Sequence, residues 1–362
     1  MMKLRLAAFW GSASTITWIL VGYPAVLALL RPRRWRRGSD LPRLTVIVPA
    51  YRERKALEAK LRALGEVDYP QHLIQVVVAV DEDREVADSA RRACPKAEVL
   101  FSPHREGKAA AINRALGVAT GDAVVLTDAN NVLDPGSLRA AVRNLADPAV
   151  WAVGGRRGEV GSAYEKYEHL IRRLESRSGS VAALSGELIV VRRERLPRFP
   201  KGVINDDFWL LCQLRSNGGR VVYEPDASSR EAALGPRQEL SRRARIGAGR
   251  VLLVDQLWRL PTGFRVRVVS HKLGRLAVAP LLLTLLGSSL ALARTRLYRA
   301  AALAQVSAYA PGVIALSGVP IPGRGSVVFR ASGELVLGCA GTAVGLVRGL
   351  RGRQSATWEP VR

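Results

Sequence analysis

Cysteine is rare in this chain: 362 residues hold only Cys94, Cys212 and Cys339, without paired spacing and without a histidine nearby in register. That excludes a disulfide framework, gives no zinc motif, and agrees with a reducing, cytosolic setting. Negative charge is also in deficit, with 31 acidic against 55 basic residues and a formal net charge of +24. Such an excess points to nucleic acid, anionic lipid headgroups or phosphorylated substrates. An aromatic-interleaved basic groove is missing, because the arginines flank apolar spans, and this argues against nucleic acid as a partner. Internal repeats and low-complexity tracts are missing too. The step Gly107–Lys108 lacks the spacing of a Walker loop, which argues against a P-loop ATPase.

What the chain does have is long apolar runs. FWGSASTITWILVGYPAVLALL, residues 9 to 30, carries no charged side chain, and at about 1.5 Å per residue it spans a bilayer core of about 30 Å. Arg31, Arg33, Arg34, Arg36 and Arg37 come directly after it. A cleaved signal peptide is the alternative, since Lys3 and Arg5 precede the run, but the length and the Arg cluster favour a retained anchor. Five arginines after the run outweigh two basic residues before it, so the chain beyond the run is expected to face the cytoplasm. LAVAPLLLTLLGSSLALA (276 to 293) reads as a second span, residues 300 to 319 as a weaker third and residues 334 to 347 as a short fourth. Buried helices of a soluble domain are the alternative for the weaker pair. Arg348, Arg351, Arg353 and Arg362 suggest a cytoplasmic tail, whereas three C-terminal crossings would put that tail outside. One of the weaker segments is therefore expected to lie in the interface. The division expected is an anchor with a basic flank over 1–38, a cytoplasmic domain over 39–255, and a membrane region of two to three spans over 256–362, in a multi-pass cell-membrane protein.

Between these spans, short apolar runs alternate with helical patterns. LTVIV (44 to 48), QVVVAV (75 to 80), AEVL (97 to 100), AVVLT (123 to 127), WAVG (151 to 154), LIVV (188 to 191) and RVVYE (220 to 224) read as strands. KALEAKLRAL, REVADSARRA, GKAAAINRALGVA and PGSLRAAVRNLA have helical spacing. The alternation predicts an α/β fold, a mostly parallel sheet with helices on both faces. Its carboxyl edge would gather Tyr51 and Glu53 after the first strand and Asp81 and Asp83 after the second, in a crevice suited to a nucleotide. Taken one residue at a time, solvated loop charge explains them better. Lys108 in the first turn of a helix offers a cation and backbone N–H groups to a phosphate. Asp128 and Asn130, at i and i+2 after an apolar strand, project to one side, although Asp, Asn and Pro-Gly are also ordinary turn residues. Asp206 and Asp207 begin a helical pattern, where they serve either as favourable N-terminal charges or as a proton acceptor facing the cavity. Arg242, Arg243 and Arg245 fall in one helical turn, placed for a diphosphate or for lipid headgroups.

The order PAYRE, VDED, GKAAAIN, TDANN, SGE, NDD, RRARIG, from about residue 44 to 250, resembles the inverting nucleotide-sugar glycosyltransferases of family 2. These have a GT-A fold, Rossmann-like, and include the cellulose, hyaluronan and polyglucosamine synthases. The flanking spans suit the membrane-bound branch, and the closing GRQSATWEP looks like tails in that branch. The resemblance implies that Ala50, Tyr51, Glu53 and Asp81 hold the nucleoside. Arg52 stands where the family usually has Asn. The DxD metal motif falls on Asp128, Ala129 and Asn130, so that Asp128 and Asn130 would bind Mg2+ or Mn2+, the hard cations that prefer oxygen. Asp207 takes the place of the general base, and Lys108, Arg242 and Arg245 belong to donor binding. The family's QxxRW motif meets Arg242, Arg243, Ala244, Arg245 and Ile246, with Arg in place of Gln and Ile in place of Trp.

The function expected is transfer of a sugar, with inversion, from a nucleotide diphosphate sugar to a hydroxyl of a membrane-associated glycan or lipid acceptor in cell-envelope synthesis. A UDP-sugar is the expected donor. Single transfer to a polyprenyl phosphate or glycolipid is the main alternative, and an inactive nucleotide-binding membrane scaffold is another.

Overall fold

The computed structural model describes residues 1–158, 163–231, 235–317 and 327–353. The closing QSATWEP and Arg362 lie outside them. Eight strands form one sheet: β1 Leu44–Ala50, β2 Ile74–Asp81, β3 Glu98–Ser102, β4 Ala123–Leu126, β5 Asn131–Leu133, β6 Val150–Arg157, β7 Ile189–Arg192 and β8 Arg220–Glu231. Their order is β3-β2-β1-β4-β7-β6-β8-β5. The half from β3 to β4 is fully parallel. β7 then runs antiparallel to both β4 and β6, β8 is parallel to β6, and β5 is antiparallel to β8. The expected strands are all present, but the sheet is parallel in one half and mixed in the other.

Alternation along the strands sends side chains to two cores. Val46, Val48, Val78, Val80 and Val125 pack with Leu57, Leu61 and Leu138 from α3 Arg54–Gly65 and α6 Ser137–Val142. Ile47, Val77, Ala79, Val124 and Leu126 pack on the other face with Ile112 of α5 Lys108–Leu116 and with Leu210 and Leu211 of α8 Asp206–Ser216. β1 is buried along its whole length, as a strand covered on both faces must be. α4 Arg84–Ala93 starts where the Asp83 carboxylate accepts from the Val86 N–H at 3.1 Å, an N-cap that satisfies one orphan donor. α7 Ala163–Ser178 precedes β7.

The basic flank is docked on this domain. Trp35 Nε1 donates to Asn144 Oδ1 at 2.8 Å, Arg36 donates to the Ala146 carbonyl, and Arg37 pairs with Glu224 at 3.3 Å. Glu224 is 1% exposed and also pairs with Arg143 at 3.0 Å.

Three helical stretches among the described residues are long and apolar enough to cross a membrane: Met2–Leu29, Thr262–Ala291 and Val327–Leu350. The first comprises α1 Met2–Thr17 and α2 Tyr23–Leu29, joined by a π-helical turn, and the second α10 Thr262–Val268 and α11 Gly274–Ala291. α12 Arg296–Leu316 has the length but not the apolar composition, whereas α13 Val327–Leu350 has both. The expected ranking of the two weaker segments is thus reversed. Residues 334 to 347 read as short because Arg330 and Glu334 interrupt the apolar pattern, yet the helix runs through them.

α13 lies against α9 Pro236–Leu252, and its glycines allow the approach. A Cβ on Gly345 would sit 2.5 Å from the Ala244 carbonyl oxygen and 3.0 Å from Gly247 Cα. Backbone cannot yield as a side-chain tip can, so Gly345→Val should destabilise the protein by about 2 kcal/mol. A lowered thermal midpoint of the full-length protein in detergent would show it.

Candidate active site

The carboxyl ends of β1, β2 and β4 lie side by side because these strands pair in parallel, and this edge is where open α/β sheets bind ligands. Pro49 and Ala50 from β1, Tyr51 just after it, Asp81 from β2, Arg105 and Gly107 from the loop before α5 and Lys108 at its start line a recess there. Tyr51 is buried, its ring covered by Arg105 at 4.4 Å and Arg52 at 4.9 Å, and its hydroxyl bonds Glu82 at 3.1 Å. Asp81 is 4% exposed. Its carboxylate accepts from the Glu106 and Gly107 N–H groups at 3.0 and 2.7 Å and pairs with Arg114 at 2.8 Å. In this conformation Asp81 shapes the loop into α5. Gly107 makes that loop feasible, since its φ of 89° falls where side chains are strained.

Lys108 is the hub of the edge. Its Nζ lies 2.8 Å from Asp128 Oδ1 and 2.9 Å from Asp206 Oδ2. Burial works against the ammonium charge, but the two carboxylates outweigh it and raise its pKa. Burial and the neighbouring Asp206 carboxylate push Asp128 up, while Lys108 pulls it down. Asp207 comes next on the first turn of α8, its Oδ1 accepting from the Phe208 N–H at 2.7 Å. Burial and the charge of Asp206 raise it, with Lys272 and Lys108 opposing. The strand-end acid at 128 and the acidic pair at 206 and 207 are therefore brought into one site.

Asn130 Nδ2 donates to Glu231 at 2.8 Å, while its Oδ1 is buried without a partner among the described residues. An orphaned carbonyl oxygen two residues after a carboxylate is a donor set that fits a hard divalent cation. Among the described residues no three His, Cys, Asp or Glu side chains already form a metal cluster. Glu53 is pushed up to about 8 by burial and by the charges of Asp128 and Glu231, against Lys108.

Two expected donor-site arginines part company. Arg242 is committed to Glu239 at 2.7 Å and Glu231 at 3.7 Å, so here it braces α9 instead of standing open to a diphosphate. Arg245 makes no ion pair among the described residues. Several residues take roles that the sequence does not announce. Asp206 directly pairs with Lys108. Gly186 leaves the site open, since a Cβ there would lie 3.5 Å from Lys108 Nζ and 3.6 Å from Asp128 Oδ2. Glu187 and Glu231 are bridged by Arg157. Lys60 is buried beneath the turn, and burial pulls its pKa down to about 7 against the attraction of Asp128.

A parallel sheet edge with a lysine between strand-end and helix-start carboxylates is suited to a phosphorylated ligand. Residues 42–246 match the model of the family described as glycosyltransferase like family 2, and the chain belongs to that family. The protein named probable glycosyltransferase YdaM of Bacillus subtilis is 22% identical over 217 residues, 54% of this chain. The chain spans about half of that relative's length, 52%. Glycosyltransferase AglE of Haloferax volcanii is 25% identical over 236 residues, covering 61% of this chain and 76% of the relative. The fold is similar to that of the mannosyltransferase PcManGT from Pyrobaculum calidifontis, solved with GDP-Man and Mn2+. The TM-score is 0.69 at 24% identity, over 98% of this chain and 99% of that one.

The elevated Glu53 has a consequence for stability. A carboxyl raised from 4.5 to about 8 in the fold contributes stability that is fully present below the lower value and is lost as pH rises through the higher one. Glu53→Gln should remove that part of the pH dependence. Thermal midpoints from about pH 5 to about pH 9 should fall more for the wild type than for the variant.

Proposed function

We propose that the protein transfers a sugar, with inversion, from a nucleoside diphosphate sugar to a hydroxyl of a membrane-associated glycan or lipid in cell-envelope synthesis. The observation that carries the reading is the shared position of Lys108 between Asp128 and Asp206, with Asp207 beside them. The nucleoside sits against Ala50, Tyr51 and Glu53 at the strand edge. Lys108 and Arg245 bind the diphosphate and stabilise its charge as it leaves. Asp207 accepts the proton of the acceptor hydroxyl, and burial with the Asp206 charge makes it a stronger proton acceptor than a free carboxylate. Attack from the face opposite the diphosphate inverts the anomeric centre in one displacement. Mg2+ or Mn2+ bound by Asp128 and Asn130 would supply further charge stabilisation at the diphosphate.

In this reading residues 1–38 anchor the protein, 39–255 form a cytoplasmic catalytic domain and 256–362 return to the membrane. Ile246 in place of the family's aromatic favours a second reading within the same chemistry, a single transfer to a polyprenyl phosphate or glycolipid instead of chain growth.

Release of free nucleoside diphosphate in native membranes, over a panel of UDP sugars with GDP-mannose, identifies the donor, and product sizing decides between the two readings. Asp207→Asn should lower turnover by about a hundredfold or more while leaving nucleotide binding in place. If donor binding vanished along with turnover, Asp207 would be structural and the reading would fail.

A further inference from the structure

Lysine seldom faces a core, yet Lys60 is 0% exposed on the inner face of α3, in line with Leu57, Leu61 and Leu64. Its ammonium meets neutral oxygens and forms no salt bridge among the described residues: Nζ donates to Thr127 Oγ1 at 2.6 Å and to Asn131 Oδ1 at 2.5 Å. Those two residues bracket the turn Asp128, Ala129, Asn130. They in turn hold a third segment, since Thr127 Oγ1 and Asn131 Nδ2 both donate to the Glu187 carbonyl, at 2.7 and 2.9 Å. Lys60 is thus the root of a chain of hydrogen bonds joining α3, the turn, and the loop whose Gly186 lies over Lys108 and Asp128.

The charge of Lys60 matters as well as its bonds. The turn carries one carboxylate, because position 130 is Asn. It also lies close to two ammonium groups, Lys108 against Asp128 and Lys60 beneath. A bare divalent cation arriving there takes one carboxylate from the turn, with Asp206, Glu187 and Glu231 further off, and meets both positive charges at close range, whereas a diphosphate brings negative charge of its own to set against them.

On the function proposed above, we infer that Lys60 is a positioning residue for the donor diphosphate. Its ammonium fixes both ends of the Asp128–Asn130 turn, and its uncompensated charge keeps a divalent cation off the turn until a diphosphate accompanies it. Two substitutions separate these effects. Lys60→Met removes both charge and donors, and Lys60→Gln removes the charge but retains a donor.

The test is calorimetry on the full-length protein in detergent at about pH 6, where Lys60, held down to about 7 by burial, still carries its charge, titrated with Mn2+ alone, with UDP or GDP alone, and with both, together with steady-state kinetics on the donor found by the panel. Both variants should bind Mn2+ alone at least about threefold more tightly than the wild type. Lys60→Met should raise the donor KM about tenfold with a smaller change in kcat, and Lys60→Gln should recover most of that loss. Should Lys60→Met fail to fold, Lys60→Gln still decides the charge effect through its Mn2+ affinity. Unchanged Mn2+ affinity and KM, with only a lowered melting temperature, would make Lys60 a packing residue and overturn the role. A wild type that binds neither UDP nor GDP with Mn2+ would instead overturn the function itself, before the variants are compared.

Discussion

The carboxyl edge of the sheet is held together by one ammonium group against a crowd of carboxylates. Asp128, Asp206, Asp207, Glu53, Glu187 and Glu231 act on one another through a poorly solvated region, where like charges are costly. Lys108 links the end of β4 to the start of α8 by pairing with Asp128 and Asp206. Arg157 does the same for Glu187 and Glu231, and Arg242 for Glu231 and Glu239. These cations do not reach Glu53 closely enough to keep it at its ordinary value. Around Glu53, burial and the like charges of Asp128 and Glu231 therefore prevail over Lys108.

Much of the scaffold was legible because buried strands in a parallel edge leave continuous apolar runs, as in LTVIV and QVVVAV. The direction of LIVV was not legible, since nothing in an apolar run says which way it pairs, and β7 lies antiparallel between β4 and β6. β5 has only three residues, too few for any period. α7 escapes a pattern reading because AYEKYEHLIRRLESRS is so rich in charge that its apolar stripe is thin.

In the site, residue types announced chemistry but not partnership. Asp128 and Lys108 were readable as strand-end acid and helix-start cation, and they do meet. Arg242 was readable as a cation, and Glu239 three residues before it on α9 as a helix partner, but not its reach to Glu231, which comes from β8. Asp81 was readable as an edge carboxylate, yet the Glu106 and Gly107 N–H groups that occupy it belong to a loop with no sequence signature. Lys60 left one visible trace, a charged residue at i+3 from Leu57 on a face that continues with Leu61 and Leu64. The arginines after the first apolar run have the pattern of a membrane flank. Several are also fastened to the domain, Arg36 to Ala146 and Arg37 to Glu224, a use that charge patterning does not disclose.

That fastening matters because the apolar helices are not appended to a self-sufficient domain. α13 meets α9 through Gly345 and Gly349, close enough that a Cβ on either would press on Ala244 or on Val251 and Ala248. α9 then meets the head of α8 through Gly249, whose Cβ would lie 3.0 Å from that of Asn205, and Asn205 Nδ2 donates to the Ile246 carbonyl. Asn205 immediately precedes Asp206 and Asp207. Two close helix contacts therefore separate an apolar C-terminal helix from the acidic pair, one backbone on backbone at Gly345 and one against the Ile204 and Asn205 side chains at Gly249. Close-packed contacts of this kind transmit displacement instead of damping it. The position of Asp207 relative to Asp128 is consequently set from two directions, by the Lys108 ion pairs across the sheet edge and by the glycine-lined seat of α9 on α13.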